Sequence, residues 1–286
     1  MDIPKILEKK LGRPVAVFGA GVSGNAVAEF LRGNGFSAKI YDRSAAGAAR
    51  LFGAAEAAEH DLVVFSPGFP REHPWKDAAR RAGLLCLCEP DFAALFWQGA
   101  LPPMKRLAGE SREEFLARAD ARLGLTAVTG TNGKTSTANF TRQIWEFLGK
   151  KAACIGTLGV VTNDFTAYGS LTTPDSVTLH KELQDLAKQG YQHTAIEASS
   201  HGLEQHRIDG ISLTAAAFTN ITRDHLDYHG TMENYLNAKL KLFDRPLSSR
   251  TAVLNADIPE YEQIADYCRS KGLKIIDYGK NAEALK

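Results

Sequence analysis

LTAVTGTNGKTS, residues 125–136, decides the fold class, because an apolar run leads through a glycine-rich turn into a helical stretch. Glycines let backbone N–H groups close around a phosphate, and a helix N-terminus adds positive potential there. In that setting Lys134 can meet the β- and γ-phosphates of a nucleotide and Thr135 can ligate magnesium. The spacing departs from the usual phosphate-loop pattern, which wants glycine at position 128, where Val128 stands. A plain glycine turn is the alternative.

Downstream, strands and helices alternate. Pro174 suits the first turn of a helix in TTPDSVTLHKELQDLAKQG that Gly190 ends, and HTAIEAS and TAAAFTN read as strands. A helix around residues 232–243, the strand TAVLN, a helix near 258–270 and the strand KIIDY follow. Upstream, VAVFG, AKIYD, DLVVFSPG and LLCLC are short apolar runs separated by helical segments, with a helix from about Val22. Two βα series predict an α/β protein with parallel sheets. The pattern lapses through GALPPMKR and resumes in SREEFLARADARLG, where Ser111 and Glu114 have capping-box spacing and Gly124 stops the helix. The domain junction is expected there, giving domains at 1–100 and 125–286 joined by a helical linker at 101–124.

The 286 residues are 44% hydrophobic and 23% charged with a net charge of +1, enough for two cores. A near-neutral chain without a Lys/Arg run argues against nucleic acid or an anionic membrane as the main partner. No apolar stretch reaches the ~20 residues that span a bilayer. Four cysteines and the polar start MDIPKILEKK fit a reducing cytoplasm. Cys86 and Cys88 form an isolated CxC without the second pair that zinc would want, and Cys154 and Cys268 read as core residues.

Four further features carry chemistry. GAGVSG, residues 19–24, follows a strand, opens a helix and has Asp42 at the end of the next strand, which matches a dinucleotide fingerprint. NAD, another nucleotide or a structural turn would each satisfy it. IEASSHGLEQHRIDG places Glu197 at a strand end, where the metal of a nucleotide sits, with a surface loop as the plainer alternative. FTNITRDHLDYHG gathers Asp224, His225, Asp227 and His229 and fits a metal site, a phosphate site or a polar turn alike. Lys239 falls one turn after Tyr235 on a helix, where spacing alone predicts a solvated charge.

GTNGKT, LTTP, EASSHGLEQHR, FTNITRDHLDYHG and YLNAK occur in one order, and together they resemble the central domain of the Mur ligases over most of residues 125–257. The serine pair with Gln205 and Arg207 is most similar to the tripeptide-synthetase branch of that family. The front of the chain differs: GAGVSG, the YDR around Asp42 and FSPGFP followed by HP resemble the uridine-binding domain of the D-glutamate-adding branch.

The resemblance implies a Rossmann-like UDP-binding domain followed by a phosphate-loop-type ATP domain. It implies an ATP-dependent amide ligase of peptidoglycan synthesis that adds diaminopimelate or lysine to UDP-N-acetylmuramoyl-L-alanyl-D-glutamate through an acyl phosphate. Residues Gly130, Thr131, Asn132, Gly133, Lys134, Thr135 and Ser136 would bind ATP phosphates, with Asn255 and Asp257 beside the adenine. Thr135, Glu197, His225 and Lys239, the last as a carbamate, would hold two Mg2+ ions, and Lys134, His225 and Lys239 would be catalytic. Val22, Ser23, Asp42, Arg43 and Ser66 would contact UDP, and Thr172, Thr173, Ser199, Gln205 and Arg207 the muramoyl-peptide. Partners would be that nucleotide-peptide and an amino acid, acting on a cytoplasmic monomer. The family's third domain has no counterpart before NAEALK, so an incomplete chain that binds better than it turns over is expected. Alternatives are the D-glutamate ligase, an NAD-dependent oxidoreductase and a non-catalytic nucleotide-binding module.

Overall fold

The structure, a computed structural model, describes residues 3–66, 69–70, 72–100 and 124–283, the side chains of 97–100 excepted. The expected junction and linker helix, residues 101–123, lie outside the described residues. The chain packs as two compact units, one of Met1–Pro103 with Asp175–Gln184 and Gln205–Gly210, the other of Met104–Pro174, Asp185–Glu204 and Ile211–Lys286.

In the first unit, β1 (Val15–Phe18), β2 (Ala38–Tyr41), β3 (Leu62–Phe65) and β4 (Leu85–Cys88) form a wholly parallel sheet in the order β2-β1-β3-β4. Strands buried on both faces read as continuous apolar runs, which is why VAVF and LVVF carry no alternation. One face packs Val15, Val17, Val64 and Leu31 with Phe92, Phe96 and Val177. The other packs Phe18 at 4.7 Å from Phe52 and 5.6 Å from Trp75, ring centroid to ring centroid, both edge-on. The chain reverses direction across the sheet between β2 and β3, so the carboxyl ends of β1 and β3 flank the switch point where α/β sheets bind ligands.

In the second unit, β5 (Gly124–Thr129), β6 (Ala152–Gly156), β7 (Gly159–Thr162), β8 (Thr166–Ala167), β9 (His193–Glu197), β10 (Leu213–Phe218), β11 (Leu247–Asn255) and β12 (Lys274–Tyr278) form one sheet. Its order is β12-β11-β10-β5-β9-β6-β7-β8, parallel except for β6-β7 and β7-β8. The expected strands are all present. The hairpin β6 to β8 is additional: AACIG and GVVT are short and are joined by a two-residue turn, so no helical crossover marks them.

Three helix boundaries differ from expectation. Pro174 precedes the helix Ser176–Lys188 rather than entering it, because Asp175 takes the capping position and accepts the Thr178 N–H at 3.0 Å and hydroxyl at 2.8 Å. The helix expected over 232–243 ends at Leu240 and tightens into a 3-10 turn, Lys241–Asp244. The last helix begins at Tyr261, not near Ile258. Cys154 and Cys268 are buried core residues, as their apolar settings suggest. No described helix is long and apolar enough to cross a membrane.

Candidate nucleotide and metal site

Three adjacent strands of the second sheet, β10, β5 and β9, deliver the candidate residues to one carboxyl edge. β5 runs into the loop 130–133, after which the helix Lys134–Phe147 begins. Gly130 has φ +146° and Gly133 φ +82°, both outside the range of ordinary side chains, and a Cβ on Gly130 would overlap the Thr219 hydroxyl. The loop is clamped from β10. Thr131 donates its N–H to the Asn220 carbonyl at 2.8 Å, Asn132 donates its own to Asn220 Oδ1 at 2.8 Å, and the Thr219 hydroxyl donates to the Asn132 carbonyl at 2.7 Å. Thr131 Oγ1 accepts the Thr222 N–H at 2.9 Å and lies 3.1 Å from the Tyr235 hydroxyl.

Two lysines converge on this loop. Lys134 Nζ donates to the carbonyls of Gly130 at 3.0 Å and Thr131 at 2.9 Å. Lys239 is 1% exposed and donates to the same Gly130 carbonyl at 2.6 Å, with its amine 4.4 Å from the centre of the Tyr235 ring. The solvated position that spacing predicts for Lys239 is therefore wrong: its helix, Met232–Leu240, turns this face inward with Tyr235 and Leu236. Burial, and next the positive charge of Lys134, lower the Lys239 pKa to about 7, against a smaller opposing pull from Asp224. Burial lowers Lys134 too.

At the end of β9, Glu197 is 2% exposed. Its Oε2 accepts the Thr135 hydroxyl at 2.8 Å and the Thr157 hydroxyl at 3.3 Å, and its Oε1 accepts the Thr157 N–H at 2.9 Å. A Cβ on Gly156 would overlap this carboxyl, so the residue before Thr157 must be small. Thr157 also meets Thr172, hydroxyl to hydroxyl, at 3.1 Å, while Thr173 donates to the Glu197 carbonyl at 2.8 Å and lies 3.0 Å from the Ser199 hydroxyl. Thr135, Glu197, Thr172, Thr173 and Ser199 thus form one hydrogen-bonded group. A buried carboxylate and a threonine hydroxyl are the hard oxygen donors a divalent cation such as magnesium takes, so the residues fit that ion.

His225 sits apart from that group, at φ +51°, its ring 4.8 Å from the ring of His201 and 6.1 Å from that of Tyr235. Tyr235 joins it to the loop through Thr131. His229 is buried and hydrogen-bonds Ser200 at 3.0 Å; burial, then His201, lowers its pKa. On β11, the Asn255 side chain donates to the Thr219 carbonyl at 2.8 Å. Asp257 accepts the backbone N–H groups of Lys280 and Asn281, both at 2.9 Å, and so closes a turn. Thr157 and Asn220 carry no motif that marks them as candidates. Thr157 comes from the unforeseen hairpin, whereas Asn220 stands within FTNITRDH, where its clamp on Asn132 had no spacing signature.

In the first unit, Gly19 has φ +99°, and a Cβ on Gly24 would overlap the Gly19 carbonyl, so both glycines are required by the turn. Asp42 Oδ2 accepts the Ala20 N–H at 2.9 Å, and Oδ1 accepts the N–H groups of Ser44 and Ala45 at 2.9 and 3.0 Å. These backbone donors, Ala20 first, lower its pKa to about 2. Ser66 at the end of β3 lies against Gly19, Arg43 stands over the Trp75 ring at 5.7 Å, and Val22 is exposed at the head of the helix Val22–Gly33. Gln205 and Arg207 pair with each other, guanidinium to Gln205 Oε1 at 2.6 and 3.1 Å.

Residues 128–286 match the Mur ligase middle domain. Among curated relatives, a UDP-N-acetylmuramoyl-L-alanyl-D-glutamate--2,6-diaminopimelate ligase of Bradyrhizobium diazoefficiens is 43% identical over 211 residues, 72% of this chain and 43% of the relative. A protein of the same name from Zymomonas mobilis is 52% identical over 163 residues, 57% of this chain and 34% of the relative. A solved structure of a protein of that name superposes with a TM-score of 0.55 at 28% identity, covering 82% of this chain and 49% of the other. The chain thus spans less than half the length of these relatives. With more than half of its residues matched to that one domain, the chain belongs to the Mur ligase family.

Proposed function

We propose that this chain carries the UDP-binding and ATP-binding parts of a ligase that joins diaminopimelate or lysine to UDP-N-acetylmuramoyl-L-alanyl-D-glutamate. The observation that carries this is the convergence of Lys134 and Lys239 on the loop 130–133, with Thr135, the second residue of the helix that follows, bonded to the buried Glu197. The names of the relatives support the third-residue substrate over the D-glutamate ligase. Residues 1–100 then form the UDP domain and 125–286 the ATP domain.

In this scheme Gly130 to Ser136 wrap the ATP phosphates, and Lys134 turns from its own loop carbonyls to the β- and γ-phosphates. Thr135, Glu197 and His225 would hold magnesium, whose positive charge would offset the negative charge gathering on a transferring phosphoryl group. Lys239, whose pKa burial lowers, could add carbon dioxide in its neutral form: the amine nitrogen bonds the carbon, one proton leaves to solvent, and the neutral amine becomes a carbamate whose oxygens would assist a second magnesium. Thr172, Thr173 and Ser199, joined to Glu197, present the substrate carboxylate, with Gln205 and Arg207 on the peptide. The carboxylate takes the γ-phosphoryl group, and the incoming amine displaces phosphate from that acyl phosphate to leave the amide. Asn255 and Asp257 border the adenine. Val22, Ser23, Asp42, Arg43 and Ser66 hold the uridine diphosphate.

Calorimetric titration with magnesium present tests this. The compounds are UDP-N-acetylmuramoyl-L-alanine, its D-glutamyl extension and NADH. Preference for the extended compound is expected; preference for the shorter one would favour the D-glutamate ligase, and binding of NADH alone would reinstate the oxidoreductase.

A further inference from the structure

Glu89, the first residue of the helix Glu89–Ala100, is 1% exposed and belongs to none of the chemistry above. Its Oε1 accepts the Ser176 N–H at 3.2 Å, and the Ser23 side chain is its neighbour on the side of the glycine turn. Its Oε2 is buried with no partner. The charged groups facing it are Asp175, itself 7% exposed, and Arg207. A carboxyl with one orphan oxygen, next to a second buried carboxylate, is poorly provided for as an anion, and its neutral form escapes the larger penalty of burying a charge. Burial first, and Asp175 further, push its pKa up to about 7, against Ser23, the Ser176 amide and Arg207.

The location gives that acid a task. Ser23 is the second residue of the helix Val22–Gly33, whose N-terminus follows the glycine turn and receives the diphosphate in the function proposed above, on which this inference rests. An ionised Glu89 would set a negative charge directly behind the Ser23 hydroxyl. A protonated one keeps the hydroxyl and the Ser176 amide in place without repelling the ligand.

We propose that Glu89 is a positioning residue of the UDP-binding turn, acting through Ser23 in its protonated form, so that binding of a UDP-sugar takes up a proton at Glu89. No bond to the ligand is involved. The proton comes from solvent and returns to it on release.

Calorimetry with UDP-N-acetylglucosamine tests this, because a pyrophosphate diester has no group titrating near neutrality. Titrations at pH 7.5 in two buffers of different ionisation enthalpy read the proton count, and Kd is followed from pH 6.5 to 8.5. The wild-type chain should take up a fraction of a proton, and its Kd should rise with pH by up to about tenfold per unit. Glu89→Gln, isosteric with the neutral acid, should bind about as tightly as wild type at pH 6.5 with no uptake and a flat profile. Should that variant not fold, Asp175→Asn serves: with a neighbouring charge removed, the rise in Kd should begin at lower pH. Binding without uptake would overturn the proposal; uptake that persists in Glu89→Gln would overturn it too and point to His73, whose pKa burial lowers, as the proton acceptor. Failure of the wild-type chain to bind any UDP-sugar would instead remove the UDP site itself, and this inference with it.

Discussion

Lys134 and Lys239 share one acceptor: both donate to the Gly130 carbonyl oxygen, at 3.0 and 2.6 Å. Burial first, and next the repulsion between two ammonium groups on one carbonyl, lower the Lys239 pKa from 10.5 to about 7, with no carboxylate bonded to it. Its folded value lies below its unfolded one. Above pH 10.5 neither state holds the proton and no cost arises; between 10.5 and 7 the unfolded chain binds it and the folded chain does not; below 7 the cost is complete. The shift corresponds to roughly 5 kcal/mol. Lys239→Met should therefore stabilise the chain at pH 7, by about 2 kcal/mol after loss of the hydrogen bond, and the gain should shrink towards pH 10. Denaturant unfolding across that range checks it, and a destabilised variant at pH 7 would contradict it.

Gly156 gives a second test, because its missing side chain makes room for Glu197. A Cβ there would overlap the carboxyl that also accepts Thr135 and Thr157. Gly156→Ala should cost about 1–3 kcal/mol through overpacking and weaken Mg-ATP binding at least tenfold by turning Glu197 away. Unfolding and nucleotide titration of the same variant separate the two effects. Normal Mg-ATP affinity would mean that Glu197 stands outside the metal site.

Much of this arrangement was legible in the chain itself. Buried parallel strands such as VAVF and LVVF announce themselves as apolar runs, and Gly130 and Gly133 stand where the loop needs positive φ. Lys239 shows the limit: its helix has little amphipathic contrast, and burial of a lysine is settled by what packs over it, here Tyr235 and the Gly130 carbonyl. Thr157 and Glu89 were invisible for a related reason. Each acquires meaning only from a partner distant in sequence, 40 residues away for Thr157 and Glu197, 87 for Glu89 and Ser176.

Asp42 should behave as a staple of the glycine turn. Its carboxylate accepts backbone N–H groups from Ala20 on one side and from Ser44 and Ala45 on the other. Because its folded pKa, about 2, lies below the ordinary 3.8, the stability it adds is present above pH 4 and lost as pH falls through 2. Asp42→Asn should remove about 1–2 kcal/mol at neutral pH and flatten the acid limb of the stability profile, which acid unfolding followed by circular dichroism would reveal. An unchanged acid limb would mean that these amides do not grip the carboxylate in solution.

Asn220 offers the sharpest division between holding the loop 130–133 and touching the ligand proposed for it. Its side chain accepts the Asn132 N–H at 2.8 Å and donates to the Asn132 carbonyl at 3.2 Å, while its backbone carbonyl takes the Thr131 N–H. Asn220→Ala deletes the first two and leaves the third, so β5 and β10 stay paired, and the turn at Asn132 loses that brace, keeping only the Thr219 hydroxyl on its carbonyl. The Asn132 amide is then freed to wander, and a loop that must be ordered on binding spends affinity on that ordering. ATP should bind about tenfold more weakly, with a more unfavourable binding entropy and an unfolding midpoint within a few degrees of wild type. Asn220→Asp tests the donor separately: it keeps the acceptor for Asn132 N–H, loses the donor to its carbonyl, and adds a negative charge beside the phosphates. Its affinity should fall below that of the alanine variant, and the deficit should shrink with added salt, because screening weakens the repulsion but cannot restore the brace.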